Sequence, residues 1–444
     1  MKINIAFVNL GCAKNMLDGE RMLDILESKG ANLVKNPEDA QIVIVNTCTF
    51  IREATDESLK TLQLVGNLKK SGRCRHLVAT GCLAQRYGNK LFEIIPSVDA
   101  VLGTFQIENI FEAVEHILTE DQYCNCTKAQ IVPEKNLSVR RFTPSHYAYV
   151  RIAEGCNNRC HYCIIPTLRG NYRSRKIEDI LEEANLLAAS GVKEINLIAQ
   201  DTTLYGKDIP VNGELPDLLK AMVKIESLNW VRLLYVHPAH LHDDVLSVIR
   251  DEKKICSYID LPIQHIDNEI LSQMGRKISE KGIRILVEKI RQMIPDVGIR
   301  TSLIVGFPGE TREKFNKLLS YMKEVRFERL GVFIYSPEEG TVAASYKKMV
   351  DEEEKQKRFH EAMLLQQQIA TELNTELIGR KMNVICDGLS EEKKGFWQGR
   401  TQYDAPEVDG LVYFEKNNKT ISPGDINGVL IKDSMEYDLI GQIQ

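Results

Sequence analysis

Three cysteines lie within eight residues of one another in the stretch EGCNNRCHYC, residues 154–163. Their spacing, C-x3-C-x2-C at Cys156, Cys160 and Cys163, is suited to binding one metal centre. A closed structural zinc site uses four ligands, and four thiolates usually hold a cubane iron–sulfur cluster. Three thiolates leave one metal position open, which is typical of a site where another molecule binds. The alternative is a zinc site with a remote fourth ligand, for which His161 is the candidate.

A second set of three cysteines lies in the first 90 residues. Cys12, Cys48 and Cys82 each follow a predicted strand, in KINIAFVNLGC, QIVIVNTC and HLVATGC. Open α/β sheets bind their ligands at the carboxyl ends of parallel strands, so we expect these thiols to converge at one edge. Gly11 and Gly81 precede two of them and leave room for a bulky group. The pattern predicts a second cluster, again with an open position; the alternative is three ordinary buried cysteines.

Length and composition limit the class of protein. With 444 residues, 43% hydrophobic and 27% charged, the chain is predicted to form two or three globular domains. A net charge of −5 argues against a generally basic, nucleic-acid-coating protein. No apolar run approaches 18 residues, and the N-terminus is typical of a strand, so we expect neither a membrane span nor a signal peptide. Eleven cysteines without an export signal indicate the cytoplasm, a reducing compartment.

The remaining cysteines divide into two groups. Cys74, Cys256 and Cys386 stand alone and are predicted to be buried apolar residues. Cys124 and Cys126 lie in a polar stretch, EDQYCNCTKAQ, and no role is assigned to them.

The elements that would position these residues follow from the alternation of strand and helix patterns. Such alternation predicts parallel sheets, and six strand-plus-helix units suit an open (β/α)6 partial barrel with its site at the carboxyl ends of the strands. Short strands separated by Gly, Pro, Asp and Asn predict a small OB-like β-barrel at the C-terminus. The predicted organisation is a doubly wound α/β domain over residues 1–120, a linker over 121–145, the partial barrel over 146–375 and the all-β barrel over 376–444.

The central motif resembles that of the radical S-adenosylmethionine (SAM) enzymes, with Tyr162 just before the last cysteine. The resemblance implies a 4Fe-4S cluster on Cys156, Cys160 and Cys163 whose open iron is chelated by SAM. It also implies reductive cleavage of SAM to a 5′-deoxyadenosyl radical that abstracts hydrogen from a C–H bond. An electron donor such as flavodoxin or ferredoxin is then needed.

Further residues at strand ends are predicted to contact SAM. Arg300 is the candidate partner of the SAM carboxylate, and Gly306 would let the backbone approach the adenine. The other candidates, beside Tyr162, are Gln200, Asp201, Ser302 and Tyr335. We expect the histidines His237, His240 and His265 to be structural rather than proton carriers. The basic stretch Arg169, Arg173, Arg175 and Lys176 is predicted either to hold phosphate or to pair with acidic helices.

The whole chain resembles the methylthiotransferase family. The matching stretches are LGCAKNMLDGE, VNTCTF and GCLAQR in the first domain, EGCNNRCHYCIIPTLRGNYRSR in the core, and a C-terminal TRAM domain. The resemblance implies a second 4Fe-4S cluster on Cys12, Cys48 and Cys82 that handles the inserted sulfur. It implies replacement of a C–H hydrogen by SCH3, with SAM as methyl donor and radical source and an external sulfur source.

Known members act on tRNA adenosines or on an aspartate of a small-subunit ribosomal protein. AQDTTLYG, DLPIQH and GRTQYDAPEVDG resemble the ribosomal-protein branch. Residues 380–444 hold eleven acidic and eight basic residues, a net charge of −3. An RNA-binding barrel is expected to be basic, whereas an acidic barrel suits a basic ribosomal protein. Trp397, Asp404, Glu407 and Asp409 are therefore predicted to bind the substrate.

The sequence thus predicts methylthiolation of the β-carbon of an aspartate in small-subunit ribosomal protein twelve. The first alternative is a tRNA methylthiotransferase acting on a modified adenosine beside the anticodon. The second is a non-catalytic iron–sulfur or zinc-dependent RNA-binding module that uses the C-terminal barrel.

Overall fold

A computed structural model describes residues 3–72, 74–120, 122–128, 141–209, 213–415 and 420–444. The chain divides into two compact units. The first comprises Met1–Phe142, Ala153–Asn157 and Cys163–Arg175, and the second comprises Thr143–Ile152, Asn158–Tyr162 and Lys176–Gln444. Within the described residues, no helix combines the length and the apolar character needed to cross a membrane.

The strands and helices are numbered in chain order. The strands are β1 (Asn4–Asn9), β2 (Asn32–Leu33), β3 (Ile42–Thr47), β4 (His76–Gly81), β5 (Ala100–Leu102), β6 (Tyr123–Asn125), β7 (Tyr147–Arg151), β8 (Ala153–Glu154), β9 (Arg173–Ser174), β10 (Glu194–Ile198), β11 (Trp230–Leu233), β12 (Tyr258–Asp260), β13 (Gly298–Val305), β14 (Arg329–Ile334), β15 (Lys381–Leu389), β16 (Phe396–Thr401), β17 (Val412–Glu415), β18 (Ile426–Ser434) and β19 (Leu439–Ile443). The helices are α1 (Ala13–Ser28), α2 (Arg52–Lys70), α3 (Cys82–Tyr87), α4 (Lys90–Ile94), α5 (Ile110–Thr119), α6 (Ile165–Arg169), α7 (Ile177–Ala189), α8 (Leu215–Met222), α9 (Asp243–Asp251), α10 (Asn268–Gln273), α11 (Glu280–Met293), α12 (Arg312–Val325) and α13 (Glu352–Thr375).

The first unit is built on a six-stranded parallel sheet in the order β2-β1-β3-β4-β5-β6. Its central strand β3 is buried along its whole length, as expected for a sheet covered on both faces. Val43 and Val45 face one hydrophobic cluster, and Ile42 and Ile44 face the other. The predicted doubly wound α/β fold is confirmed.

The linker prediction needs one correction. Tyr123–Asn125 form β6, which pairs in parallel with β5 at the edge of the first sheet. The segment was too short and too polar to predict a strand, because an edge strand is partly solvent-exposed. Residue 121 and residues 129–140 of the predicted linker lie outside the described residues.

The second unit contains six parallel strands, each followed by helical or turn segments. β7, β10 and β11 form one three-stranded sheet, and β12, β13 and β14 form another. The strands therefore follow one another in chain order, as predicted for an open (β/α)6 partial barrel. Side-chain caps fix several of the helices; Asp267, Ser279 and Thr311 each accept a backbone N–H in the first turn of the helix that follows.

The C-terminal part of the second unit is a closed five-stranded barrel in the order β15-β16-β17-β19-β18. Its core consists of alternating apolar residues, including Val384, Val412 and Val429, as period-two strands require. The predicted small all-β barrel is confirmed. Helix α13, which precedes it, packs against β14 and contacts β18.

Candidate active site

Cys12, Cys48 and Cys82 lie in three turns at one edge of the first unit's sheet. Cys12 is the N-cap of α1 after β1, Cys48 directly follows β3, and Cys82 begins α3 after β4. These strands are neighbours, so the three turns lie side by side, as predicted. A Cβ added to Gly11 would lie 2.9 Å from Cβ and 3.1 Å from Sγ of Cys48. Glycine beside Cys12 is therefore what allows these two turns to approach each other.

The electrostatic surroundings differ among the three thiols. Burial raises the pKa of Cys82 to about 12 and also raises that of Cys48. At Cys12, desolvation acts in the same direction, but the charges of Lys14 and Arg169 outweigh it and lower the pKa. None of the cysteines within the described residues is in a disulfide. Three clustered thiols, of which Cys48 and Cys82 resist ionisation individually, fit a metal cluster, whose positive charge displaces their protons.

Arg169, at the end of α6, is a buried cation beside this trio. Its side chain is 3% exposed. Its Nη2 lies 2.9 Å from an Asp18 carboxylate oxygen, and its Nη1 lies 3.3 Å from Glu154. Nη2 also donates to Oδ1 of Asn15 at 2.7 Å and lies 3.6 Å from Sγ of Cys82. Because it faces two carboxylates as well as the thiols, Arg169 compensates negative charge in the interior of the first unit.

The side chain of Asn15 connects Arg169 to the cysteine turns at the edge of the sheet. Its Nδ2 donates to the carbonyl of Thr47 at 2.8 Å and to that of Leu10 at 3.1 Å. Thr47 immediately precedes Cys48, and Leu10 lies two residues before Cys12. The amide thus fixes two of the cysteine turns while its Oδ1 accepts from Arg169.

The basic stretch after the central cysteines is therefore largely internal. Arg169 forms buried ion pairs, as the acidic-pairing alternative predicted. Arg173 donates to the carbonyls of Asn171 and Arg169 and lies 5.7 Å from the ring centroid of Phe105. Arg175 is 2% exposed.

The start of the central cysteine motif belongs to the first unit and is tightly packed. A Cβ on Gly155 would come within 2.1 Å of the carbonyl oxygen of Asn171, and Gly155 has a positive φ of 80°. Only glycine fits both conditions. The N–H of Cys156 donates to the carbonyl of Gly170 at 3.1 Å. The backbone at the first cysteine is thereby fixed to the turn after α6.

In the second unit, the middle cysteine lies beside an arginine that the sequence analysis missed. Nη1 of Arg276 is 3.8 Å from Sγ of Cys160, and Nη2 donates to the carbonyl of Pro262 at 2.6 Å. Arg276 is 8% exposed, so its charge acts in a desolvated setting. It follows α10 in SQMGRK, a stretch without a strand-end signal, so no sequence pattern indicates its role.

His161 has partners that account for it without a metal. Its Nδ1 lies 2.7 Å from the hydroxyl of Tyr346 and 2.9 Å from the carbonyl of Gln273. Its backbone N–H donates to Met274, and its carbonyl accepts from Ala343. His161 therefore anchors the cysteine loop within the second unit, and the structure gives no support to the zinc alternative that used it as a ligand.

Asp201 follows β10 and organises another part of this loop. Its fully buried carboxylate accepts from Nδ2 of Asn158 at 2.7 Å, from Nδ1 of His240 at 2.8 Å and from the Thr203 N–H at 3.1 Å. His237 stacks on His240 with ring centroids 4.6 Å apart. Burial and the nearby Arg276 lower the pKa of His237 to about 3, so this ring is neutral.

The atoms of Asp201, His237 and His240 lie close enough together to suggest a cation site. However, Asp201 already accepts several hydrogen bonds, and Nδ1 of His237 accepts the Ala239 N–H at 3.2 Å. The group is therefore a hydrogen-bonded scaffold for the cysteine loop, which agrees with the structural role predicted for these histidines. The proposed contact of Asp201 with SAM stays a prediction.

The other candidate SAM residues lie on or just after strands of the second unit. Gln200 follows β10, Ser302 lies within β13, and Tyr335 follows β14. Tyr162 packs in a cluster that includes Tyr335. Gly306 has a φ of 72°, and a Cβ there would lie 2.3 Å from Cγ of Lys355, so packing against α13 already requires glycine at that position.

Arg300 does not lie where the sequence analysis expected it. It is near the amino end of β13, whereas a barrel site forms at the carboxyl ends. Its Nη1 pairs with Asp260 at 3.1 Å and its Nε with Asp409 at 3.3 Å. The structure therefore gives no support to the prediction that Arg300 binds the SAM carboxylate, because its guanidinium is already paired with Asp260 and Asp409.

The predicted acidic substrate patch also needs correction. Asp404 and Asp409 have side chains only 2% exposed, and they pair with Arg329 and Arg300 respectively. Glu407 is exposed and accepts from the hydroxyl of Tyr147 at 3.0 Å. The two aspartates therefore join the barrel to the core of the second unit and are not available to a partner.

Trp397, the fourth predicted substrate residue, is partly buried on β16 against the barrel core. Its role in substrate binding stays a prediction.

A second group of ion pairs lies between the barrel and the rest of the second unit. The composition of the sequence did not indicate it. Glu194 on β10 pairs with Arg232 at 2.9 Å and with Arg400 at 2.7 Å, all within 2% exposure. Arg400 also pairs with Asp387, which contacts His146 at 2.7 Å. Because Asp387, Asp404 and Asp409 are used internally, the net charge of −3 overstates the negative charge that the barrel presents.

Comparisons with known proteins agree with this organisation. Three family models match: "Uncharacterized protein family UPF0004" over residues 4–103, "Radical SAM superfamily" over 150–322 and "TRAM domain" over 378–443. Among solved structures, the radical S-adenosylmethionine methyltransferase TsrM from Kitasatospora setae is similar, with a TM-score of 0.55 and 15% identity over 87% of this chain and 79% of that chain. At this identity the likeness concerns the fold alone.

The fold and the two cysteine trios define a three-part radical SAM protein with an N-terminal α/β domain and a C-terminal TRAM barrel. Relatives that match over the full length of the chain identify the family within this class. The chain is 46% identical to the ribosomal protein uS12 methylthiotransferase RimO of Clostridium botulinum (strain Okra / Type B1), over 100% of this chain and 98% of that protein. It is 43% identical to that of Desulforamulus reducens, over 99% of each chain. The chain therefore belongs to the RimO family of radical SAM methylthiotransferases.

Proposed function

We propose that this protein inserts a methylthio group at the β-carbon of an aspartate in ribosomal protein uS12, in the cytoplasm. The observation that carries the proposal is the presence of two separate cysteine trios on a chain similar over its whole length to uS12 methylthiotransferases. Because several acidic residues of the barrel are buried in ion pairs, its charge does not distinguish a protein substrate from an RNA substrate. The choice of uS12 over tRNA therefore rests on the relatives.

The donor sets fit two 4Fe-4S clusters, since each consists of three thiols that are not in disulfides and leaves one metal position open. Cys156, Cys160 and Cys163 would hold one cluster, and Cys12, Cys48 and Cys82 the other. When bound, these groups together with SAM supply radical C–H activation, a methyl group and a binding position for sulfur.

The protein's own residues perform positioning and charge compensation. Arg276 places a desolvated cation beside the Cys160 sulfur. Asp201 orders Asn158 within the cysteine loop. Arg169 holds positive charge against Cys82 and the neighbouring carboxylates. An external sulfur source and an electron donor of the flavodoxin or ferredoxin class complete the reaction.

A deletion strain distinguishes the substrates. Mass spectrometry should show that uS12 loses its methylthio group while 2-methylthio nucleosides of tRNA are unchanged. Loss of the nucleoside with uS12 unaltered would overturn the proposal in favour of the tRNA alternative.

The catalytic assignment is tested on the purified, reconstituted protein. Cys160→Ala should abolish reductive SAM cleavage. The triple variant Cys12→Ala/Cys48→Ala/Cys82→Ala should lose about half of the iron and keep SAM cleavage. Full iron content in the triple variant would show that the first trio does not hold a cluster.

A further inference from the structure

Cys124 and Cys126 form a pair of thiols outside both trios. Cys124 lies on β6 and Cys126 directly follows that strand. Both are free and partly buried, and both pack against the hydrophobic cluster on one face of the first unit's sheet. Residues two apart in a strand share a face. The two thiols therefore point to the same side of the sheet.

The pair is held against the helix that carries one ligand of the N-terminal trio. Sγ of Cys126 lies 3.4 Å from the carbonyl oxygen of Ala84, and Nε2 of Gln85 donates to the carbonyl of Cys126 at 3.0 Å. Ala84 and Gln85 belong to α3, whose first residue is Cys82. Cys126 and Cys82 thus lie at the carboxyl ends of β6 and β4, which only β5 separates. Two strand spacings correspond to about 10 Å.

The two thiols also differ in character. A hydrogen bond from the Cys126 side chain lowers the pKa of Cys124, whereas the same contact raises the pKa of Cys126. By contrast, burial raises the pKa of the isolated Cys74. A thiol that ionises readily beside a protonated neighbour is the arrangement of an attacking and a resolving cysteine.

We propose that Cys124 and Cys126 form a sulfur-entry dithiol, which takes sulfane sulfur from a persulfide donor and releases it as hydrosulfide near Cys82. This inference rests on the proposed function, because a methylthiotransferase consumes one sulfur atom for each product. The pair lies at the same sheet edge as the trio but about two strands away. A small released anion crosses that distance, whereas the two thiols themselves are not positioned to ligate the same cluster.

The chemistry balances in two steps. The Cys124 thiolate attacks the outer sulfur of a persulfide, R–S–SH, which breaks its S–S bond, releases the thiol R–SH and leaves a persulfide on Cys124. The Cys126 thiolate then attacks the inner sulfur of that persulfide, forms the Cys124–Cys126 disulfide and expels HS⁻. A dithiol reductant of the thioredoxin class returns the disulfide to two thiols before the next cycle.

Mass spectrometry of the reconstituted holoenzyme tests the sulfur transfer directly. The probe is glutathione persulfide with a heavy-isotope outer sulfur, added without oxygen. Cys126→Ser should accumulate labelled persulfide on Cys124, and the unmodified protein should form the Cys124–Cys126 disulfide and release labelled hydrosulfide. Cys74→Ser, which alters a buried thiol of the same unit, should behave as the unmodified protein. Equal labelling of other cysteines, or none on Cys124, would overturn the proposal.

Turnover supplies a second measurement. With the persulfide as sulfur source, Cys124→Ser and Cys126→Ser should slow multiple turnover by about tenfold, with iron content and SAM cleavage unchanged. Added hydrosulfide should restore the rate, because it bypasses the dithiol. A loss that persists with hydrosulfide would contradict the entry role. If instead Cys126→Ser accumulates the label on Cys124 but the unmodified protein forms no methylthio product from any sulfur source, the proposed function fails and the dithiol assignment stands.

Discussion

Nη2 of Arg169 lies 3.6 Å from Sγ of Cys82. Arg169 ends the helix that begins two residues after Cys163, whereas Cys82 starts a helix of the N-terminal sheet. The contact therefore joins the stretch that continues from the central cysteine motif to the N-terminal trio, within one compact unit. Substitution of Arg169 should therefore affect the N-terminal trio.

Arg169→Met should destabilise the first unit by about 3–5 kcal/mol, because it leaves Asp18 and Glu154 as buried, uncompensated charges. Arg169→Lys keeps the charge but not the forked geometry and should have a smaller effect. Thermal unfolding and iron content measure the two consequences. Arg173→Met is the matched control, since Arg173 is less buried and binds backbone carbonyls. An Arg169→Met protein with unchanged stability and iron content would contradict this role.

Arg276→Gln should make the reduction potential of the cluster at Cys160 more negative, because a buried positive charge beside a ligand sulfur favours the more negatively charged, reduced state. A redox titration followed by electron paramagnetic resonance measures the shift. Arg276→Lys should shift the reduction potential less than Arg276→Gln does, because it keeps the positive charge. Lys277→Gln, at the neighbouring position, is the control. An unchanged potential in Arg276→Gln would show that the arginine serves only to hold the Pro262 carbonyl.

Glu194 and Arg400 should be strongly coupled in a double-mutant cycle, because their ion pair at 2.7 Å is within 2% exposure. We expect each single neutral substitution to lower the free energy of unfolding by about 3–5 kcal/mol, because it leaves a buried charge without its partner. The double variant should lower it by clearly less than the sum of the two single effects. The exposed pair Arg312 and Glu361 is the control and should couple by under about 1 kcal/mol. Calorimetric unfolding gives both values. Additive effects at Glu194 and Arg400 would contradict the coupling.

Asp387 should make the attachment of the barrel sensitive to acid. Burial opposes its charge, but Arg400 and His146 outweigh burial and lower the pKa of this carboxyl below its ordinary value of 3.8. A carboxylate with a lowered pKa in the folded state stabilises the fold above the ordinary value, and this contribution is lost as the pH falls through and below it.

The unmodified protein should therefore lose thermal stability between about pH 5 and pH 2 more steeply than Asp387→Asn. The substituted protein should be less stable near neutral pH and flatter in acid. Asp56→Asn, on an exposed helical pair, should leave the profile unchanged. Parallel profiles for Asp387→Asn and the unmodified protein would contradict the assignment.

The sequence by itself determined the features that depend on local spacing. Cys156, Cys160 and Cys163 lie within eight residues, so their cooperation needed no knowledge of the fold. Strand–helix alternation predicted both parallel sheets, and because parallel strands end at a common edge, it also placed Cys12, Cys48 and Cys82 together. Short strand patterns with turn residues between them predicted the small all-β barrel.

Only the tertiary structure decided the partners of the charged residues. Arg300 and Asp409 are more than 100 residues apart in the chain, and no local pattern distinguishes a charge that faces a cofactor from one that faces another domain. The partners of Arg169 and the role of Arg276 could not be predicted for the same reason, because they depend on which turn of the chain folds beside each arginine. The net charge of a sequence is a sum over all its residues. In the folded protein, buried charges are neutralised by ion pairs, and these pairs form only when folding brings distant segments together.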